Sequence, residues 1–196
     1  MMSKVKTVLF VPGFQESLTN WRDYPATIKA IEAKGYTVIF VAINWSRTTI
    51  TNWVEELEKE YAKYDPATTI LAGFSFGAMT AFMAAAKRNP SELWLFSLSP
   101  YFHEEIHLPS MKKSWLTQIG HRRVSAFDEM VFADLLKKIN AKILFFYGDQ
   151  ELPKWPDISH RDEPIKQLRN AKVIIIRSAG HDVTDQHYIK AIQDSM

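Results

Sequence analysis

Ser75 stands between two glycines in Gly73-Phe74-Ser75-Phe76-Gly77, directly after the apolar run Thr69-Ile70-Leu71-Ala72 and directly before an Ala-rich stretch at 78–86. A serine on a sharp strand-to-helix turn is held in a cramped backbone conformation with its hydroxyl exposed, so its neighbours two residues either side must be small. That setting suits a nucleophile. A hydroxyl attacks a carbonyl only with help: a base to take its proton, an acid to hold that base, and donors for the oxyanion that forms. Candidates for each follow an apolar run. His181 lies in Ala179-Gly180-His181-Asp182, where the glycine leaves an imidazole room to swing. Asp149 and Glu151 lie in Tyr147-Gly148-Asp149-Gln150-Glu151, and Val11-Pro12-Gly13-Phe14-Gln15 forms a tight turn whose backbone N–H groups can face a nucleophile.

A second chemistry competes. His103-Glu104-Glu105-Ile106-His107 matches H-E-x-x-H, in which two histidines on one helical face hold zinc and the glutamate activates water. Pro100 and Pro109 bracket the segment, leaving room for about two turns of helix, and no third ligand stands at a suitable spacing. The segment reads as a surface loop, and no metal or cofactor is implied. Lys112-Lys113 and His121-Arg122-Arg123 form a local basic cluster that reads first as a solvated face, with a bias toward anionic substrates as the alternative.

The elements needed to position these residues are legible in the pattern. Six short apolar runs, at 5–11, 36–43, 69–72, 93–98, 142–147 and 173–177, are each followed by turn residues. Between them lie helical periods. Trp21, Tyr24, Ile28 and Ile31 form one stripe that ends near Gly35, and Ile50, Trp53, Val54, Leu57 and Tyr61 form another with Glu55, Glu56, Glu58, Lys59 and Glu60 on the wet side. Near-continuous apolar strands alternating with amphipathic helices predict an α/β chain: a three-layer α/β/α sandwich around a mostly parallel six-stranded sheet. Ligands of such sheets bind beyond the carboxyl ends of the strands, so all four candidate segments converge on one crevice. Residues 100–140 break the rhythm, being too long for a simple crossover, and predict an insertion of one or two helices over the sheet edge.

Composition narrows the function classes. The 196 residues fit one domain, 1–196, long enough to bury roughly 70% of the unfolded surface. Apolar residues at 46% and charged residues at 23% exclude a disordered or fibrous chain. With 24 basic against 22 acidic residues, nucleic acid is not an expected partner. No cysteine is present, which excludes a disulfide framework, a thiolate zinc site and a cysteine nucleophile. The opening residues carry Lys4 and Lys6 before an apolar stretch of about four residues that ends at Pro12. A signal peptide needs roughly 7–15 apolar residues and a membrane span about 20, so the expectation is a first strand and a cytoplasmic protein without membrane attachment.

On these residues the chain resembles the α/β-hydrolase superfamily, as a small serine esterase-like member. The order Ser75, acid, His181 is that family's order, Gly35-Tyr36-Thr37-Val38 looks like its G-Y-x-V lead into a strand, and Gly180-His181 looks like its usual G-H. The resemblance covers nearly the whole chain and implies a minimal member with strand order 2-1-3-4-5-6. It departs at Pro12-Gly13, where the family commonly has H-G. Carried over residue by residue, it implies Ser75 as nucleophile, His181 as base, and the N–H groups of Phe14 and Phe76 as oxyanion donors. The family's G-x-x-D spacing maps the acid onto Glu151, with Asp149 as the alternative.

The implied activity is cleavage of small to medium esters or thioesters through an acyl-enzyme, with no cofactor. Amide or C–C bond hydrolysis, or a catalytically silent binding module, use the same crevice. The insertion is expected to wall the acyl pocket, with Trp115 and Leu116 as lining residues and a preference for chains of roughly C2–C8. Oligomeric state is not indicated.

Overall fold

In a computed structural model that describes residues 6–15 and 20–196, six strands form one sheet in the order β2-β1-β3-β4-β5-β6. Residues 1–5, which include the opening of the first expected strand, lie outside the described residues. The strands are β1 (Thr7–Val11), β2 (Thr37–Phe40), β3 (Thr69–Phe74), β4 (Glu92–Phe96), β5 (Lys142–Gly148) and β6 (Ala171–Ile176), and every pairing is parallel. The apolar runs predict a mostly parallel six-stranded sheet, and the structure makes it parallel throughout.

Side chains alternate between two cores because strand periodicity is two. Leu9, Leu71, Leu95 and Phe145 point to one face, which is covered by α2 (Ile50–Tyr61) and α3 (Phe76–Lys87). Phe10, Ala72, Phe96 and Phe146 point to the other, which is covered by α1 (Pro25–Glu32) and α9 (Gln186–Ser195). Burial on both sides explains why the central strands read as unbroken apolar runs. One helix starts later than its stripe implies: Trp21 lies in a separate 3-10 turn and is 54% exposed, while α1 begins at Pro25. Proline lacks the N–H that a helix interior needs and disfavours helical geometry in the residue before it, so the stripe breaks at Tyr24.

The insertion at 100–140 folds as four short helices: α4 (His103–Ile106), α5 (Lys113–Ile119), α6 (His121–Asp128) and α7 (Phe132–Leu136). It lies not over the sheet edge but against α2 and α3. Phe127 packs on Trp53 and Phe76, with ring centroids 6.0 and 5.4 Å away, and Phe132 stacks on Phe82 at 5.3 Å. The outward aromatic faces of α2 and α3 offer these rings apolar area that an edge strand does not. After β5 the chain makes two 3-10 turns and α8 (Asp162–Lys166) before returning to β6. No helix among the described residues is long and apolar enough to cross a membrane.

Candidate active site

Ser75 occupies the one-residue turn between β3 and α3 with φ 58° and ψ −119°, a region a non-glycine residue enters only under constraint. The constraint is steric. A Cβ at Gly73 would lie 2.2 Å from the Gly77 carbonyl oxygen, and one at Gly77 would lie 2.2 Å from the Pro12 oxygen. Only glycine lets β3, α3 and the β1 turn approach this closely, and the approach pushes the Ser75 hydroxyl out beyond the sheet. The backbone N–H of Ser75 donates to Phe96 O at 3.0 Å, which fastens the turn to β4.

His181 and Glu151 arrive from the ends of β6 and β5. Nε2 of His181 is 3.0 Å from Ser75 Oγ, and its Nδ1 is 2.7 Å from Glu151 Oε2. The ring sits between Phe74, 4.8 Å away, and the edge of Trp155, 5.6 Å away. Those aromatic walls limit its rotation. The two loops are laced together, since Gln150 N–H donates to Ala179 O at 3.0 Å, and a Cβ at Gly148 would meet that same oxygen at 2.3 Å.

Glu151 is 2% exposed and its second oxygen is held on three sides. Oε1 accepts from Gly148 N–H at 2.7 Å and from the Ser97 hydroxyl at 2.9 Å; the Tyr188 hydroxyl, 3.3 Å from Oε1, donates to Ser97 Oγ. Burial, helped by the Glu151 charge, raises the Tyr188 hydroxyl far above its ordinary range, so it stays a neutral donor. Asp149 is exposed, two residues short of this cradle; the structure brings Glu151, and not Asp149, to His181.

The protons follow from the partners. With the carboxylate accepting at Nδ1–H, Nε2 carries the lone pair and accepts the Ser75 hydroxyl proton. Ser99 Oγ lies 3.0 Å from Ser75 Oγ, and since the Ser75 proton is committed to His181, Ser99 is left to donate to Ser75. The sequence reading missed Ser99. Its position behind β4 is set by Arg161, which is 1% exposed and donates to Ser99 O, Leu98 O and Tyr147 Oη at 3.2 Å each. Arg161 Nε also donates to the buried Glu105 at 2.7 Å. Burial alone would raise the Glu105 carboxyl, but the Arg161 charge with hydrogen bonds from His160, Arg161 and Phe102 outweighs it and brings it down to about 2.

A cleft of about 340 Å³ opens over the serine. Ser75, His181, Phe14, Phe76 and Ser99 form its floor, with Tyr101, Trp115, Gln118, Ile119, Arg123 and Trp155 among its walls. Phe14 and Phe76 therefore both border the serine, and their rings meet edge-on at 5.6 Å. Trp115 lines the cleft but Leu116 does not. On α5, residues 115, 118 and 119 share one face by helical spacing, and 116 points about 100° away. From the basic cluster only Arg123 reaches the wall. Its guanidinium lies over the Phe14 ring at 4.9 Å and donates to the Thr48, Ile119 and Trp45 carbonyls. Burial and the neighbouring Arg122 charge lower its pKa. Burial pushes the Tyr101 hydroxyl up to about 12, so it is neutral at the cleft.

The H-E-x-x-H segment has another architecture from the one its pattern implies. Glu104 accepts from Phe132 N–H at 3.0 Å and Ala133 N–H at 3.5 Å, capping α7, and Glu105 is the buried partner of Arg161. Neither glutamate is free to activate water. The two histidines do meet a third potential ligand, Asp128, which the spacing did not reveal.

No family model matches the chain, and no curated protein matches it in sequence. Solved structures do. The esterase Est1E from Butyrivibrio proteoclasticus superposes with a TM-score of 0.71 at 18% identity, over 97% of this chain and 86% of that one. MGS-MChE2, an α/β-hydrolase enzyme from a metagenome of Moroccan lagoon sediments, gives 0.70 at 16% identity over 97% and 88%. The esterase domain of a Rhodothermus marinus protein gives 0.69 at 12% identity over 98% and 85%. With its parallel sheet in the order 2-1-3-4-5-6 and these structural neighbours, the chain has the α/β-hydrolase fold.

Proposed function

We propose that the protein is a serine hydrolase that cleaves carboxylic esters or thioesters of small to medium acyl groups. The observation that carries this reading is the unbroken hydrogen-bond chain from Ser75 Oγ through His181 to Glu151, at 3.0 and 2.7 Å, with the serine and histidine on the floor of a cleft. Ser75 Oγ attacks the substrate carbonyl as His181 Nε2 takes its proton. Glu151 holds the ring in the tautomer that can accept it and stabilises the imidazolium. The carbonyl oxygen, now an anion, accepts from the N–H groups of Phe14 and Phe76. His181 then gives its proton to the leaving alcohol or thiol as the C–O or C–S bond breaks, leaving Ser75 acylated. Water then attacks the acyl carbonyl as His181 takes its proton, the same donors stabilise the second tetrahedral intermediate, and its collapse breaks the Ser75 Oγ–acyl bond, releasing the acid as His181 returns the proton to Ser75.

Cleft size and lining shape the substrate. At about 340 Å³ the volume lies at the small end of ligand pockets and fits acyl groups of roughly C2–C8. Aromatic walls from Phe14, Phe76, Tyr101, Trp115 and Trp155 favour flat or apolar acyl groups. Arg123 adds positive charge on one side, which favours substrates carrying a negative group. Among structural neighbours, Est1E has been solved with ferulic acid bound, which is in keeping with an aromatic cleft on this fold.

The direct test is hydrolysis of p-nitrophenyl acetate and butyrate by the wild type and Ser75→Ala. The variant is expected to lose about 10³-fold or more in kcat with its thermal midpoint unchanged. Activity retained within tenfold would remove Ser75 from the reaction.

A further inference from the structure

We propose that His103, His107 and Asp128 form a binding site for a divalent transition-metal ion, with Zn²⁺ as the best-matched species, that ties α4 to the end of α6 within the insertion. The site lies outside the Ser75 cleft and is independent of the hydrolase reading. His103 opens α4 and His107 follows it four residues on, one helical turn, so the two rings stand together with centroids 4.8 Å apart. Asp128 ends α6, and a single oxygen of it faces both rings. Oδ1 is 2.8 Å from His103 Nδ1 and 2.7 Å from His107 Nε2, and the three ligand atoms all lie within 4.8 Å of one another.

An ion bound tetrahedrally at about 2.0–2.1 Å sets its ligand atoms roughly 3.4 Å apart, so each imidazole nitrogen must draw back from the carboxylate by roughly 0.6–0.7 Å while the widest-spaced ligand atoms, within 4.8 Å of each other, close up by as much as about 1.4 Å. The side chains are 50%, 59% and 43% exposed, which leaves room for that rearrangement on their open side. Two imidazole nitrogens and one carboxylate oxygen are a zinc-type set; Mg²⁺ and Ca²⁺ prefer oxygen ligands throughout. The open side leaves a fourth position for water. Each ring can present a lone pair at the facing nitrogen by carrying its proton on the other one.

A backbone contact joins the same two segments: His103 N–H donates to Met130 O at 2.8 Å. Its placement gives the ion a consequence. Tyr101, two residues before His103, and Phe127, adjacent to Asp128, pack on each other at 5.8 Å and both contact the Phe76 ring. A metal that locks α4 to the end of α6 therefore stiffens the wall next to Ser75. With Glu104 and Glu105 both engaged elsewhere, neither glutamate of the motif is free to activate a metal-bound water, and the role assigned to the ion is structural.

Isothermal titration of chelator-treated protein with ZnCl₂ tests the site, using His103→Ala/His107→Ala and Asp128→Asn as comparisons. The expected result is one equivalent bound by the wild type, at least tenfold weaker binding by both variants, and no heat with MgCl₂. Zinc at 100 times the measured Kd should raise the wild-type thermal midpoint by roughly 5–11 °C and leave the double variant unmoved. Should the double variant not fold, judged by circular dichroism, His107→Gln replaces it with the same expected tenfold loss. Equal stoichiometry and affinity in wild type and variants, or no binding at 100 µM zinc, overturns the proposal.

Discussion

Replacing Glu151 by glutamine exchanges one oxygen for an NH₂ group, and the surroundings of that carboxylate decide which way the new amide must sit. Oε1 accepts the Gly148 N–H at 2.7 Å, a backbone donor that cannot turn away. An amide NH₂ placed there would face N–H with N–H and leave a buried donor unsatisfied, at a cost of about 1–3 kcal/mol. The amide oxygen therefore stays with Gly148 and the NH₂ faces His181 Nδ1. That forces Nδ1 to accept, moves the ring proton to Nε2, and points an N–H at Ser75 where a lone pair is needed. The outcome should be a loss of about 10⁴-fold in kcat at neutral pH, the size seen when a triad base is held in the wrong tautomer. Glu151→Asp fails for another reason: one methylene less draws the carboxylate back by roughly 1.5 Å. The contact to Nδ1, 2.7 Å in the wild type, then opens beyond hydrogen-bond range. Asp149→Asn, at an exposed position, should change kcat less than threefold. The assay is p-nitrophenyl acetate hydrolysis on variants shown by circular dichroism to be folded. If Glu151→Gln keeps more than a tenth of wild-type kcat, or Asp149→Asn is the damaging change, the reasoning about the cradle is wrong.

Further outcomes follow from single contacts. Arg161→Met should destabilise the fold by about 3–5 kcal/mol in urea titrations, because it strands the buried Glu105 charge; a loss under 1 kcal/mol would contradict this. Gly77→Ala should fail to yield folded protein, since its Cβ would lie 2.2 Å from the Pro12 oxygen; a soluble variant with the wild-type midpoint would show that the turn can relax. Trp115→Ala should alter the ratio of kcat/KM between butyrate and octanoate esters by at least threefold while Leu116→Ala leaves it alone, because only Trp115 lines the cleft.

How far the sequence could be read depended on whether a residue's role is local. Strand positions, the Ser75 turn and the Gly180-His181 segment were legible because each is fixed by neighbours within a few positions: small residues around the serine, glycine before the histidine, apolar runs before both; the strand order, which is non-local, came only through the family resemblance. Glu151 was ranked above Asp149 only through a family spacing, because its cradle is assembled from Ser97 and Tyr188, 54 and 37 residues away, and no local pattern encodes such a meeting. Ser99, Trp155 and Arg161 were missed for the same reason. Ser99 and Trp155 look like ordinary loop residues, and a fully buried arginine leaves no signature in composition. The misplacement of the insertion had a different origin. Its apolar residues gave the rough span of the insertion but neither its four short helices, where one or two are expected, nor the surface they would choose, and the aromatic faces of α2 and α3 were hidden in their own stripes. Asp128 as a partner of His103 and His107 arose from that same packing.

The central claim is that Ser75 is an activated nucleophile. Incubating the protein with a fluorophosphonate and mapping the adduct by peptide mass spectrometry tests it most directly, since phosphonylation requires a hydroxyl whose proton can be taken. The account predicts one adduct per chain, on Ser75, formed about 10³-fold more slowly in His181→Ala and not at all in Ser75→Ala. No adduct on the folded wild type, or an adduct on Ser99, whose Oγ lies 3.0 Å from that of Ser75, would contradict it.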